Sequence, residues 1–189
     1  DVNHDYVIDD NDRQYMGSGT PKGEFSMVNT LYWKGFTFML DLGAVYGSKI
    51  MDITTTMMEN RQLYSNSMKS VLNAWTPENQ NSMIAAIRRP SDAYFGENEK
   101  DSRMLYSGNF LRIRNVMIAY DFKRDLLKNF KFVKGLSLGV NVENPYVFCN
   151  YPGYDPEVGA FGNVNTGSGI DFYSYPKPMT VSANLKVTF

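Results

Sequence analysis

The sequence predicts an all-β chain of antiparallel strands from a transmembrane barrel, and three observations carry that reading. The first is the last ten residues, where Val181, Ala183, Leu185, Val187 and Phe189 alternate with Thr180, Ser182, Asn184, Lys186 and Thr188. Side chains along a strand alternate with period two, so this segment has one apolar side and one polar side. A segment of this kind closing on an aromatic residue reads as the last strand of a barrel, with lipid outside and water or a plug inside. The second observation is an aromatic content of 14%, with 13 Tyr and 12 Phe, in keeping with the aromatic girdles of barrels. The third is that connections between strands are short at one end and long at the other, as in bacterial barrels.

Four more strands follow from the same alternation. Glu24 to Trp33 places Phe25, Met27, Leu31 and Trp33 on one side, with Asn29 interrupting the set. Phe36 to Tyr46 alternates Phe36, Phe38, Leu40, Leu42, Ala44 and Tyr46 with Thr37, Met39, Asp41, Gly43 and Val45. From Phe110 to Phe122 the phase changes: Leu111 and Ile113 share one parity, Val116, Ile118, Tyr120 and Phe122 the other. A bulge near Asn115 reconciles the two, because one extra residue re-aims every later side chain. Leu136, Leu138, Val140 and Val142 alternate with Ser137, Gly139, Asn141 and Glu143.

Trp33-Lys34-Gly35-Phe36 reads as a tight turn whose glycine can take positive φ. Residues 123–134 form an intermediate link, with about one helical turn. The chain therefore divides into an acidic, calcium-like loop (1–20), a hairpin (24–47), a long extracellular loop (48–108), two strands (109–148), a second extracellular loop (149–177) and the closing strand (178–189). With the C-terminus periplasmic, the 34–35 turn and the 123–134 link face the periplasm and both long loops face outside. Five strands cannot close a transmembrane barrel, where eight is the minimum. The chain is then the C-terminal portion of something larger, or several copies assemble.

Composition excludes several classes. A net charge of −1 gives no basic field for nucleic acid and no polybasic membrane patch. A mean hydropathy of −0.37 and the lack of an apolar run of about 18 residues exclude a transmembrane helix but not a barrel. Cys149 and His4 are each the sole residue of their type, which leaves no Cys cluster, His-based zinc site or Ser/His/Asp triad. Asp9 and Asp10 are adjacent and point apart, so they cannot act as a paired acid and base. No enzyme site emerges.

Four stretches are candidate sites. Asp1, Asn3, Asp5, Val7 (through its carbonyl), Asp9 and Asp12 hold positions 1, 3, 5, 7, 9 and 12 of an EF-hand-type calcium loop, and the spacing resembles dockerin-type loops that also end in Asp. Position 6, normally Gly, is Tyr6, at a strain cost of order 1 kcal/mol or more. In the 48–108 loop, Asn60 to Trp75 reads as a helix with Leu63, Tyr64, Met68, Val71, Leu72 and Trp75 near one face. Arg112 and Arg114 share a barrel strand and must point inward or lie above the membrane. The 149–177 loop sets Tyr151, Tyr154, Phe161, Phe172, Tyr173 and Tyr175 beside Asp155, Glu157 and Asp171. Aromatic platforms near carboxylates suit sugar binding, and equally an anchored loop or a protein partner. Its candidate substrate or partner residues are Tyr151, Tyr154, Asp155, Phe172 and Tyr173.

The order of motifs resembles a known family. The chain runs through Asp1-Val2-Asn3-His4-Asp5, Val7-Ile8-Asp9-Asp10-Asn11-Asp12, Trp33-Lys34-Gly35-Phe36 and Trp75-Thr76-Pro77-Glu78-Asn79. It continues with Asn109-Phe110-Leu111-Arg112-Ile113-Arg114-Asn115-Val116, Gly153-Tyr154-Asp155-Pro156-Glu157-Val158 and Ser174-Tyr175-Pro176-Lys177-Pro178. This resembles the C-terminal end of SusC/RagA-type TonB-dependent outer-membrane transporters of the Bacteroidota, over essentially the whole chain. The resemblance implies roughly the last five strands of a 22-stranded barrel, with a plug and a TonB-contacting segment upstream. It also implies an outer-membrane location and a SusD-like surface lipoprotein as lid, the pair importing glycans or oligopeptides. The alternative reading is a soluble, secreted carbohydrate-binding β-sandwich with an acidic calcium loop, which leaves the alternation ending at Phe189 and the short/long loop pattern unexplained.

Overall fold

The computed structural model describes residues 2–6, 10–59, 66–87, 102–123, 127, 132–160 and 167–189. Its elements are β1 (Gly23–Trp33), β2 (Phe36–Tyr46), β3 (Lys49–Asp52), α1 (Ile53–Glu59), β4 (Leu105–Ser107), β5 (Phe110–Asp121), β6 (Gly135–Cys149), β7 (Ile170–Asp171) and β8 (Thr180–Thr188). The five long strands make one sheet in the order β1-β2-β5-β6-β8, every neighbour antiparallel. At the β1–β2 turn, Lys34 and Gly35 both take positive φ (47° and 95°), the two successive left-handed residues that a two-residue hairpin needs. No described helix is long and apolar enough to cross a membrane, which bears on helices only.

The register explains the phase change on β5. Across β2, Leu42 faces Ile113 and Asp41 faces Asn115; across β6, Ile113 faces Tyr146 and Asn115 faces Glu143. Arg114 is therefore the extra residue, one position from the expected bulge. On β6 the bulge takes Asn144, with φ 50°, and Pro145, which has no N–H to lose from the ladder. The Asn-Pro pair reads as a breaker, yet the strand passes through it to Cys149. Both bulges keep the main apolar rows on one face. One row runs Leu31, Phe38, Ile118, Val140, Ala183, and another Asn29, Leu40, Val116, Val142, Val181.

Among the described residues no second layer lies over that face: Ile118, Leu138, Val140, Val181 and Leu185 are all exposed. A β-sandwich requires a facing sheet at about 10 Å, and the described residues supply none. The second sheet is small, with order β4-β3-β7, and β3 and β7 run parallel. It ties the two long loops together at one end of the large sheet. Buried apolar residues gather there: Ile50, Val71, Ala74, Met104, Phe110, Tyr151 and Ala160.

The 48–108 loop departs from the helix expected over 60–75. Residues 60–65 lie outside the described residues, and Lys69–Asn73 is a short 3-10 turn followed by extended Ala74. Among the described residues of the expected face only Val71 is buried, while Leu72 is exposed. Polar side chains compete for the backbone here: Asn79 Nδ2 donates to the Ala74 carbonyl (3.3 Å), and Ser82 Oγ donates to that of Asn73 (2.5 Å). The α-helix forms earlier, over Ile53–Glu59, where three threonines disfavour it. Asp52 Oδ1 caps it by accepting from the Thr55 N–H at 2.8 Å.

Candidate functional site

The long-loop end of the sheet is organised by one buried arginine. Arg112 lies on the face opposite the apolar rows, at the end of β5, and is 3% exposed. Its guanidinium is ion-paired and hydrogen-bonded to Asp155, itself 6% exposed. Arg112 Nε also lies 3.2 Å from Glu157 Oε2, close enough for ion pairing but off the hydrogen-bond line. Asp155 accepts the N–H of Glu157 (2.9 Å) and of Lys177 (3.3 Å), and Lys177 Nζ pairs with Glu157 at 2.7 Å. One cation thus pins both the start and the end of the 149–177 loop to the barrel wall. Taking either partner away would strand a buried charge.

A second knot joins the two long loops. Asp52 and Asp171 are partners across the parallel β3–β7 pair, and both are buried. Tyr151, 5% exposed, donates its hydroxyl to Asp171 Oδ2 at 2.6 Å and packs its ring against Tyr106. Asp171 Oδ1 accepts the Ser174 N–H at 3.1 Å, and Thr54 Oγ1 accepts that of Tyr173 at 2.7 Å. Burial, then the hydrogen bond to Asp171, then the negative charge of Asp52 push the Tyr151 hydroxyl's pKa well above the usual tyrosine range. Burial and the charges of Asp52 and Glu59 raise that of Tyr106 in the same direction.

The five aromatic-loop candidates separate into two groups. Tyr151 and Asp155 turn inward and are spent on these knots. Tyr154 (85% exposed), Phe172 and Tyr173 turn outward, together with Tyr175 (90% exposed). Phe172 and Tyr173 meet edge to face at 5.1 Å. Sequence reasoning passed over Asp52, Thr54 and the anchoring role of Asp171. An Asp directly before a helix start, three residues ahead of Thr55, was the one local signal.

Arg112 and Arg114 both fall on the polar side. Arg114 lies across Gly43 of β2, where any Cβ would collide with the guanidinium. On the same side Asp41 Oδ1, Asn115 Oδ1 and Asn141 Oδ1 accept no hydrogen bond from the described residues, which fits a face meant for water or for another part of the protein.

In the acidic loop, Asp1, Val7 and Asp9 lie outside the described residues. Asp12 Oδ1 accepts the Val2 N–H at 2.5 Å, and Asn3 Nδ2 donates to Asp5 Oδ2 at 2.9 Å. Tyr6 adopts φ 66°, the left-handed conformation that position 6 of a calcium loop requires. Among the described residues, no three His, Cys, Asp or Glu side chains gather closely enough to hold a metal ion.

The chain has relatives among known proteins. No protein-family model matches the chain. It is 30% identical over 182 residues to TonB-dependent receptor P3 of Formosa agariphila, covering 94% of this chain and 17% of that protein. Over 191 residues it is 24% identical to TonB-dependent receptor SusC of Bacteroides thetaiotaomicron, covering all of this chain and 17% of SusC. The chain is a relative of the SusC/RagA-type TonB-dependent receptors. It spans under a fifth of the length of the curated relatives it matches. Its fold superposes on a structure of the RagAB peptide transporter with a TM-score of 0.72 at 21% identity, over 93% of this chain and 18% of that one. Against RagAB in its open-open state the TM-score is 0.65. The relatives are receptors and transporters, not enzymes, and the antiparallel sheet of this chain matches the fold of part of the RagAB structure.

Proposed function

We propose that this SusC/RagA-type segment supplies wall, lumen lining and an external loop platform to a TonB-dependent outer-membrane importer. The substrate is a glycan or oligopeptide, delivered with a SusD-like lipoprotein over the platform and driven by TonB through upstream parts of the protein. The observation that carries the reading is the uncovered apolar face of five strands, topped by loops that hold their own core and turn Tyr154, Phe172, Tyr173 and Tyr175 outward. A face of that kind is solvated by lipid, whereas exposed aromatic residues on a rigid loop frame suit recognition of a large solute or a protein lid. In this reading the short turns and the C-terminus are periplasmic, and the 48–108 and 149–177 loops are extracellular.

Cysteine labelling of whole cells tests the orientation, in the full-length transporter with Cys149→Ser as background. Tyr154→Cys should react with a membrane-impermeant maleimide on intact cells, and Lys34→Cys only after the outer membrane is opened. The opposite pattern would invert the topology. A calcium ion in the 1–12 loop is a second part of the proposal, supported by the spacing and by the φ of Tyr6. Calorimetric titration of the full-length transporter should show a site lost in Asp12→Asn; equal binding by both would reject it.

A further inference from the structure

Charge is distributed unevenly along the strand axis. The chain as a whole is almost neutral, with 19 basic and 20 acidic residues. At the short-turn end the balance is different: the described residues of the 122–134 link carry Lys123 and Lys134 and no acidic residue. Lys34, in the β1–β2 turn, adds to them. Lys34, Lys123 and Lys134 are exposed.

These lysines sit where the apolar face ends in rings. Trp33, Phe36, Tyr120 and Phe122 form a chain of neighbouring aromatics across β1, β2 and β5, with centroid separations of 6.3, 4.5 and 4.9 Å. Lys34 Nζ lies 5.2 Å from the centre of the Trp33 ring. Lys134 donates its N–H to the Thr188 carbonyl at 2.7 Å, which places it beside exposed Phe189 at the end of β8. Lys186 is different: it faces Ser137 on the polar side, and Ser137 is bonded to Asp121. Neighbouring strands are about 4.8 Å apart, so the Lys34 turn and the Lys134 corner are separated by roughly the width of one or two lipid headgroups.

We propose that this rim is a binding collar for anionic glycerophospholipid, with Lys34 and Lys134 each holding a headgroup phosphate and the rings lying at the level of the glycerol. Lysine stems bury against apolar surface while the ammonium reaches the headgroup layer, and anionic headgroups attract such residues in proportion to their number. The choice of glycerophospholipid over the phosphates of lipid A rests on the periplasmic placement of the short turns in the proposed function.

Native mass spectrometry of the delipidated full-length transporter, titrated separately with phosphatidylglycerol, phosphatidylcholine and lipid A, tests it. The parent should retain phosphatidylglycerol in preference to phosphatidylcholine. Lys34→Gln with Lys134→Gln should weaken phosphatidylglycerol binding roughly 30-fold, and Lys186→Gln should leave it unchanged. Heat-modifiable mobility of each variant shows that the barrel has formed. Lys34→Gln alone, with an expected loss of about 5-fold, serves if the double variant does not assemble. Equal retention by parent and assembled Lys34→Gln, or no preference over phosphatidylcholine, would overturn the collar. A preference for lipid A lost in the same variants would overturn the choice of lipid, and the cysteine labelling above would separately report whether the orientation had failed.

Discussion

The two ends of this protein obey opposite rules. Across the middle of the five-stranded sheet, large apolar side chains such as Val181 (62% exposed) and Ile118 are left uncovered, while the other face carries Asp41, Asn115, Asn141 and Lys186. In the loop cap, Ile50, Val71 and Met104 are buried, and the charges that accompany them, Arg112, Asp155, Asp52 and Asp171, are hydrogen-bonded within the cap. The cap follows the ordinary logic of folding in water, with apolar groups inside and buried charges paired with partners. The sheet fits the logic of a bilayer, with neighbouring strands paired along their length and one continuous apolar side left uncovered. The difference matches the two solvents of the proposed function, lipid for the sheet and water for the cap, which meet in that reading near Tyr46, Leu111 and Phe148.

The sharpest way to break the contrast is Arg112→Met. It removes the cap's central cation and leaves Asp155 buried without its partner, at a cost of about 3–5 kcal/mol to the cap. Limited proteolysis of the full-length transporter should show new cleavage within 149–177 while the barrel remains heat-modifiable. Cleavage indistinguishable from the parent would show that Arg112 does not anchor the loop.

Val181→Arg, on the rung of Leu40, Val116 and Val142 midway along the sheet, attacks the other region. A charge on the lipid face near mid-membrane costs about 2–4 kcal/mol, so barrel yield in membranes should fall sharply, whereas Lys186→Arg on the polar side should assemble like the parent. Similar yields for the two variants would remove the assignment of faces.

Smaller in effect is Tyr151→Phe, which deletes the hydroxyl bonded to Asp171 and should cost the cap about 1–2 kcal/mol, read as faster hydrogen exchange in β3 and β7. The same residue ties the cap to pH. Its pKa is raised from 10.0, so the folded state favours the protonated hydroxyl. The stability this contributes is complete below pH about 10 and is lost as pH rises through the folded value. A tyrosinate absorbance titration of parent minus Tyr151→Phe should therefore place that hydroxyl's step above the usual tyrosine range, and a step at the ordinary position would contradict the burial argument. The smallest change is Tyr154→Ala, which touches no described hydrogen bond and should leave stability within about 0.5 kcal/mol; any loss of uptake in that variant would then report on recognition.

Local chemistry by itself determined the strands. Alternation and turn residues act over a few neighbours, so β1, β2, β5 and β8 were legible to within a residue or so, and the phase change on β5 revealed its bulge before any partner strand was known. The motif order likewise pointed to the family to which the comparisons lead. Only the tertiary structure decided the cap. Arg112 and Asp155 are 43 positions apart, and Thr54 and Tyr173 are 119 apart; no periodicity links them, because their pairing depends on where the sheet brings two loop bases together. The parallel β3–β7 pair is too short to carry a pattern, and Asn144-Pro145 looks like a chain break until a facing bulge absorbs it. Of the aromatic loop, the sequence could name the rings. Which of them turn inward as anchors and which face outward depended on the buried carboxylates that only the fold assembles beside them.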